Sequence, residues 1–283
     1  MIRGTTRLAA VLGWPVEHSR SPQLLNAAFA AAGVDAVLVP IGVSPEGFSI
    51  AVAGLQVARA LGASVTVPHK LAAAALCDEL TTAARAIGAV NCLHFVDDRV
   101  VGHNTDCDGF VDGLAAAGLV DPEHVVLLGS GGAARAVAYG LRAAKTIDVI
   151  ARQPEGARWV DEMQAPAPAK LAAVPWTSEQ LRASFERADL VVDCTPSGLS
   201  SADEARFVDA LPLDALRHEA WVATLIYHRP TLWLERARER GHSAVDGRAM
   251  LVHQGAHAFT IWTNRAAPID AMRQALDDAL RGT

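Results

Sequence analysis

The chain has 283 residues, 51% hydrophobic and 20% charged, which excludes an intrinsically disordered protein and allows one or two domains with sizeable cores. Its formal net charge of −6 argues against a nucleic-acid-binding or membrane-surface protein, because both need a basic face. Four cysteines without a CxxC pair favour reduced thiols in a cytoplasmic protein over a disulfide framework or a zinc site.

The N-terminal third of the chain predicts alternating strands and helices. Short apolar runs predict strands at Leu8–Leu12, Ala36–Pro40 and Ser64–Val67. Between them, apolar residues recur three and four apart, which predicts helices over Pro22–Ala32 and Pro45–Leu61. Strands that alternate with helices need crossover connections, so we expect a mainly parallel sheet.

A second strand–helix series begins at Val125 and continues toward the C-terminus. It predicts strands at Val125–Leu128, Ile147–Ile150, Leu190–Asp193 and Trp221–Ile226, helices at Ala133–Ala144 and Thr177–Ala188, and a helical tail from Gly247 that breaks near Ala266–Pro268. The chain shows neither an internal repeat nor a flexible linker. The sequence therefore predicts an α/β protein whose domain boundaries lie near Asn104 and His242.

A glycine-rich segment lies between the first strand and the first helix of this second series. The residues from Gly129 to Ala134 read G-x-G-x-x-A. Glycines at these positions permit a tight turn and close backbone approach, so that the N-terminus of the following helix can meet a pyrophosphate. The context predicts a dinucleotide site, and the alternative is an ordinary glycine-rich turn.

Residues near the end of the next strand bear on the choice of dinucleotide. Asp148 lies about 20 residues after the start of the glycine-rich segment, the spacing at which an acidic residue holds the ribose 2′-hydroxyl of NAD. However, Asp148 lies inside the predicted strand and not at its end. Arg152 follows the end of that strand, and a guanidinium suits a 2′-phosphate. The sequence favours NADP and leaves NAD open, since Arg152 could also be a solvated surface charge.

Two charged residues stand out in the N-terminal part of the chain, and the first is a candidate for proton transfer. Lys70 follows the predicted strand Ser64–Val67 at its carboxyl end, where open α/β sheets bind ligands. The chain has 22 arginines and only three lysines, and lysine can change protonation state beside a substrate. The alternative for Lys70 is a snorkelling lysine at a helix start. The second residue is Asp106, and locally Thr105 or Asp106 could be a helix cap. The spacing of His18, His69 and His103 does not match that of a metal site, and we therefore expect no bound metal.

Six blocks of the sequence, in order, resemble the shikimate/quinate dehydrogenase family. They are Gly13–Pro22 with Asn26, Ser64–Lys70, Gly88–Asn91, Asn104–Asp106, Gly129–Arg135 and Met250–Gln254. The resemblance covers nearly the whole chain. It implies hydride transfer between NADP, or NAD, and the C3 position of shikimate, in the chorismate pathway of aromatic amino acid biosynthesis. It also implies two α/β domains: a discontinuous substrate-binding domain (1–104 plus 243–283) and a Rossmann-like NADP-binding domain (105–242).

The resemblance further implies a role for individual residues. Lys70 and Asp106 would form the catalytic acid–base pair that shares the reacting hydroxyl. The implied substrate contacts are Ser19 and Ser21 to the carboxylate, Thr66, Asn91 and Gln254 to ring hydroxyls, and Tyr227 near the carboxylate. The implied cofactor contacts are Gly129, Ser130, Gly131, Gly132, Ala133, Arg152 and Thr195.

Departures from the family pattern leave alternatives open. Pocket positions differ at Ser64, Leu25, Cys92 and Thr224, and the usual Asn-Arg-Thr is Ala151-Arg152-Gln153 here. One alternative is a paralogous dehydrogenase acting on quinate or another cyclic hydroxy acid, with NAD or NADP as its cofactor. The other is a non-catalytic ligand sensor, which we disfavour because both members of the acid–base pair are present. The resemblance leaves open whether the protein is a monomer or a homodimer.

Overall fold

The computed structural model describes residues 2–163, 170–199 and 204–282. The chain divides into two units, the first made of Met1–Gly109 with Val252–Thr283 and the second of Phe110–Leu251. The first unit is thus discontinuous in sequence, and the second is one continuous segment. In the part of the chain that the structure describes, no helix combines the length and hydrophobicity of a bilayer-spanning segment.

Each unit contains a six-stranded sheet. The strands of the first are β1 (Arg7–Gly13), β2 (Ala36–Gly42), β3 (Gly62–Val65), β4 (Glu79–Leu80), β5 (Cys92–Val96) and β6 (Arg99–His103), in the spatial order β2-β1-β3-β5-β6-β4. Those of the second are β7 (His124–Leu128), β8 (Thr146–Ala151), β9 (Lys170–Pro175), β10 (Leu190–Asp193), β11 (Trp221–Thr224) and β12 (Ser243–Val245), in the spatial order β12-β11-β10-β7-β8-β9.

Helices connect most of these strands. They are α1 (Ser21–Ala31), α2 (Phe48–Val57), α3 (Lys70–Leu76), α4 (Thr82–Ile87), α5 (Asp106–Ala117), α6 (Gly132–Gly140), α7 (Trp159–Glu162), α8 (Ser178–Arg187), α9 (Glu204–Asp209), α10 (Leu232–Glu239), α11 (Arg248–Thr263) and α12 (Ile269–Arg281). Short 3₁₀ helices occur at Pro45–Gly47, Pro154–Ala157, Pro196–Leu199 and Leu213–Ala215. The division between the two units falls inside α5 and inside α11.

The sheet of the second unit is entirely parallel between its described strands. Its chain order starts at the central β7, runs outward through β8 and β9, and then continues from β10 on the other side of β7. Buried strands pack against α8 and α10 through Phe185 and Trp233. Ligands of such sheets bind where the strand order reverses, at the carboxyl ends of the strands. The predicted Rossmann-like fold is confirmed.

The sheet of the first unit is mixed. β1 pairs in parallel with β2 and β3, whereas β5 is antiparallel to both β3 and β6. The expectation of a mainly parallel sheet omitted this β5–β6 hairpin. Asp97 and Asp98 form its two-residue turn with φ of 50° and 59°. Two positive φ values are what a type I′ hairpin turn requires, and aspartate tolerates them.

Residues from the C-terminal part of the chain complete the core of the first unit. Helix α12 packs on α1, and the Phe259 ring of α11 lies 5.7 Å from that of Phe29. The indole nitrogen of Trp262 donates a 2.9 Å hydrogen bond to the Leu93 carbonyl oxygen. Gly62 leaves room for this ring, because a Cβ there would lie 2.1 Å from the Trp262 indole nitrogen.

Candidate active site

Lys70 and Asp106 are in direct contact in the first unit. Lys70 begins α3 and Asp106 begins α5, and Lys70 Nζ lies 2.7 Å from Asp106 Oδ2. The Asp106 side chain is 12% exposed and the Lys70 side chain 32% exposed. An ammonium has two further N–H donors after one contact, and a carboxylate oxygen has a further lone pair. The pair can therefore bind a substrate hydroxyl without separating.

The Asp106 carboxylate is fixed by neighbouring amides. Asn91 Nδ2 donates to Asp106 Oδ1 over 2.8 Å and to Thr105 Oγ1 over 2.9 Å, and Asn91 Oδ1 accepts the Thr105 backbone N–H over 2.7 Å. The Asn104 side chain accepts the Asp106 N–H and donates to the Ala89 carbonyl oxygen. All of these groups are buried, so the orientation of the carboxylate is set before a substrate binds.

The backbone around Lys70 is held on two sides. Its carbonyl oxygen accepts the Val90 N–H over 2.9 Å. The preceding residue, His69, is buried, and its Nε2 lies 2.7 Å from the Val43 carbonyl oxygen, so this nitrogen carries the proton and donates. The His69 ring also stacks on Phe48 with 4.4 Å between ring centroids. These contacts anchor the start of α3, from which Lys70 reaches Asp106.

The predicted substrate residues Ser19, Ser21 and Thr66 follow the carboxyl ends of neighbouring strands in the first unit. Thr66 directly follows β3, and its N–H donates to the Leu12 carbonyl oxygen of β1. Ser19 and Ser21 lie between β1 and the second residue of α1, and Ser19 Oγ accepts the Ser21 N–H over 3.3 Å. These hydroxyls therefore come from the sheet edge that also leads to Lys70.

Gln254 also lies in the first unit and is close to the helix that carries Asp106. Helices α5 and α11 approach each other at Gly109, where a Cβ would lie 2.5 Å from the Gln254 backbone nitrogen. Gly109 is three residues after Asp106, about one helical turn. Tyr227, in contrast, follows β11 and belongs to the second unit, where its ring lies 5.7 Å from that of His228.

A cavity of about 560 Å³ lies at the carboxyl edge of the second sheet. Of the predicted cofactor residues, it is lined by Gly129, Ser130, Gly131, Arg152 and Thr195. Gly132 and Ala133 instead begin α6, next to that wall. Gly129 has a φ of 100°, and a Cβ at Gly131 or Gly132 would meet no atom within 4 Å. A turn with this open space at a helix N-terminus fits the pyrophosphate of a dinucleotide.

The structure separates the roles of Asp148 and Arg152. Asp148 is buried, accepts the Ser184 hydroxyl over 2.6 Å and forms an ion pair with Arg187 of α8. Its carboxylate is thus engaged in the interior of the second unit, and Asp148 is not among the described residues that line the cavity. Arg152 follows β8 and lines the cavity with its positive charge. This arrangement favours a 2′-phosphate over a 2′-hydroxyl.

Two residues near this cavity had no role in the sequence analysis. Asp193 ends β10, and its Oδ1 accepts both the backbone N–H and the hydroxyl of Thr195. Burial raises the pKa of Asp193 to about 6. The indole nitrogen of Trp159 donates to the Ser130 carbonyl oxygen over 2.9 Å. Asp193 lies two residues before the predicted cofactor residue Thr195, and this position could have indicated Asp193 from the sequence. No sequence signal indicates Trp159.

The described residues contain no group of three or more histidine, cysteine, aspartate or glutamate side chains that could hold a metal ion. The candidate chemistry rests on the Lys70–Asp106 pair and on the cavity beside the glycine-rich turn.

Comparisons with known proteins identify the relatives of this chain. Residues 11–93 match the family model of the shikimate dehydrogenase substrate binding domain, and residues 247–276 that of the shikimate 5'-dehydrogenase C-terminal domain. The chain is 39% identical to a shikimate dehydrogenase (NADP(+)) of Symbiobacterium thermophilum, over 99% of this chain and 97% of that one.

Two solved structures share the fold over nearly their whole length. The shikimate 5-dehydrogenase of Listeria monocytogenes, in complex with shikimate and NAD, is 30% identical with a TM-score of 0.89, over 96% of this chain and 97% of that one. The enzyme of Thermus thermophilus, in complex with NADP(H) and shikimate, is 31% identical with a TM-score of 0.84, over 97% of this chain and 100% of that one. The chain therefore belongs to the shikimate dehydrogenase family.

Proposed function

We propose that the chain is an NADP-dependent shikimate dehydrogenase that interconverts shikimate and 3-dehydroshikimate. The observation that carries the proposal is the Lys70–Asp106 ion pair, with 2.7 Å between Nζ and Oδ2, in a member of this family. A non-catalytic sensor has no need of such a pair, since binding alone requires no proton transfer.

The proton is handled by Lys70 and Asp106. When C3 of shikimate loses a hydride, its hydroxyl oxygen becomes a carbonyl oxygen and the hydroxyl proton must leave. NADP, when bound, supplies the acceptor for the hydride. Lys70 Nζ donates a hydrogen bond to the hydroxyl oxygen, and Asp106 Oδ2 accepts the hydroxyl proton. In the reverse direction the same pair returns a proton to the developing alkoxide, which the ammonium also stabilises by its charge.

The remaining polar residues orient the ring. Ser19 and Ser21 bind the carboxylate, with Tyr227 near it, and Thr66, Asn91 and Gln254 hold ring hydroxyls. The sheet-edge position of Thr66 and the one-turn separation between Asp106 and the α5–α11 approach at Gln254 support these assignments. The 2.8 Å bond from Asn91 to Asp106 gives Asn91 a second role, because it fixes the carboxylate.

NADP binds to the Rossmann-like part of the chain, 105–242, while 1–104 with 243–283 binds the substrate. The pyrophosphate lies against the turn from Gly129 to Ala133, Thr195 contacts the cofactor, and Arg152 pairs with the 2′-phosphate. The open space at Gly131 and the charge of Arg152 support this placement. We also infer that the protein acts in the cytoplasm, in keeping with its free cysteines, as a monomer or a homodimer.

The test is the change in nicotinamide absorbance when the enzyme is mixed with shikimate or quinate, using NADP and NAD separately. We expect the fastest reduction with NADP and shikimate. The Lys70→Ala variant, purified in the same way, shows how much of the signal comes from host enzymes. Faster turnover of quinate with NAD would replace this proposal by the quinate alternative, and binding of both ligands without turnover would indicate a sensor.

A further inference from the structure

Trp159 joins two segments that form the wall of the dinucleotide cavity. It begins α7, after the loop that carries Arg152, and it is only 3% exposed. Its indole N–H donates to the carbonyl oxygen of Ser130 over 2.9 Å. Ser130 is the second residue of the glycine-rich turn and lines the cavity. A side chain beyond β8 thus bonds directly to the turn that follows β7.

Two further contacts join these segments. The guanidinium carbon of Arg135, on α6, lies 5.7 Å from the centroid of the Trp159 ring, a distance at which the cation is attracted to the ring face. A Cβ at Gly156 would lie 2.9 Å from Ser130 Oγ, so the loop before Trp159 also runs close to the turn. Trp159 therefore contacts both the turn and the helix that the turn begins.

The hydrogen bond from Trp159 to the Ser130 carbonyl oxygen also affects the N–H on the other side of the Ser130–Gly131 peptide. The bond between Ser130 and Gly131 is trans, so the Ser130 carbonyl and the Gly131 N–H point in opposite directions. Because the carbonyl is held toward Trp159, the direction of the Gly131 N–H is fixed as well. Gly131 lines the cavity, and backbone N–H groups in such turns are the donors that bind phosphate oxygens.

We propose that Trp159 is a positioning residue for the dinucleotide: it holds the Ser130–Gly131 peptide in the orientation that presents the Gly131 N–H to the pyrophosphate. The inference rests on the proposed NADP-dependent function and adds to it a residue that contacts the turn rather than the cofactor. The pyrophosphate is common to NADP and NAD. Loss of the hydrogen bond between Trp159 and Ser130 therefore lowers the affinity for both dinucleotides by the same factor.

The test compares Trp159→Phe, which keeps an aromatic ring but removes the donor, with Trp233→Phe. Trp233 is a matched control, since its buried indole nitrogen donates over 3.0 Å to the Ala223 carbonyl oxygen of β11, in the same unit. Dissociation constants are measured without substrate for NADPH, NADH and adenosine 2′-monophosphate, which has the 2′-phosphate but no pyrophosphate. We expect W159F to raise the dissociation constants for NADPH and NADH alike, by about three- to tenfold. The affinity for adenosine 2′-monophosphate stays unchanged, as do all three affinities in W233F.

Other results would overturn the inference. Equal affinities in W159F and the unmodified protein would show that the Ser130 contact has no effect on binding. A loss confined to NADPH would place the effect at the 2′-phosphate, and a similar loss in W233F would make it a general effect of a missing buried donor. Should W159F fail to fold, Trp159→Tyr also lacks the indole N–H. If the unmodified protein bound neither dinucleotide, the proposed function itself would fail.

Discussion

Lys70 Nζ lies 2.7 Å from Asp106 Oδ2, although the two residues are 36 positions apart in the sequence. Each residue begins a helix, and the two helices bring the charges together in the first unit. Since the two side chains are only 32% and 12% exposed, the pair is largely shielded from solvent. A pair shielded in this way interacts more strongly with a substrate hydroxyl than an exposed pair does.

We expect Lys70→Ala to lower kcat by about 10²–10⁴-fold, because a positioned proton-transfer group contributes that much. The measurement is kcat for NADP reduction by shikimate, with circular dichroism to show that the fold persists. Lys145→Ala is the matched control, since Lys145 forms an equally short 2.7 Å pair with Glu123 but is exposed and lies in the second unit. A folded K70A variant with near-normal kcat would remove Lys70 from catalysis.

We expect Asn91→Ala to lower kcat by about 10–100-fold, because the Asp106 carboxylate loses a charge-assisted hydrogen bond. Steady-state kinetics separates the two proposed roles of Asn91: misplacement of Asp106 lowers kcat, whereas a lost ring contact raises KM for shikimate. Asn26→Ala is the control, because the Asn26 amide also makes two hydrogen bonds, both to the backbone of Leu38. A rise in KM with unchanged kcat would limit Asn91 to substrate binding.

We expect Arg152→Ala to raise KM for NADP by about 10–100-fold and to leave KM for NAD unchanged, because only NADP carries the 2′-phosphate. The measurement is the ratio of kcat/KM for the two cofactors. Arg158→Ala serves as control, since Arg158 is exposed and lies in the same loop but outside the described wall of the cavity. Equal losses with NADP and NAD would contradict the assignment of Arg152 to the 2′-phosphate.

Asp193 should make the stability of the protein depend on pH. Burial raises its pKa to about 6 in the folded chain, from 3.8, so the protonated form is favoured by folding. The contribution of this group to stability is complete below pH 3.8 and is lost as the pH rises through about 6. Asp193→Asn cannot ionise, and its stability relative to the unmodified protein should therefore increase between about pH 4 and 6 and then stay constant.

The total increase for Asp193→Asn should be roughly 1–3 kcal/mol, since two pKa units correspond to about 3 kcal/mol and the Thr195 donors also serve an amide oxygen. Urea unfolding at several pH values measures it. Asp270→Asn removes the same charge from a fully solvated position and should show no such trend. A stability difference between D193N and the unmodified protein that shrinks with rising pH would mean that the folded state favours the ionised carboxylate.

The second sheet could be predicted from sequence because its parallel strands are buried. Continuous apolar runs such as Val125–Leu128 and Leu190–Asp193 coincide with β7 and β10 within a residue. The strand β9 was missed, because Lys170–Pro175 lies at the sheet edge and is mostly half-buried or exposed. β5 and β6 were missed because they combine histidine and arginine with apolar residues and meet in an Asp-Asp turn, which is a weaker hairpin signal than Asn-Gly.

The site could be predicted only as far as its residues occur in recognisable motifs. Lys70, Asp106 and the glycine-rich turn were named from their segments and from the family resemblance. The bond from Asn91 to Asp106 and that from Trp159 to Ser130 join residues 15 and 29 positions apart, and neither spacing is periodic. Such contacts depend on how strands and helices pack, which a single sequence does not encode locally.

The contribution of the C-terminal helices to the first core has a consequence for synthesis on the ribosome. The first unit requires Trp262 against Leu93 and α12 against α1, and these residues are translated after the whole second unit. Residues 110–251, in contrast, are consecutive and can fold once they have emerged. The N-terminal 109 residues therefore lack part of their core until α11 and α12 have been synthesised.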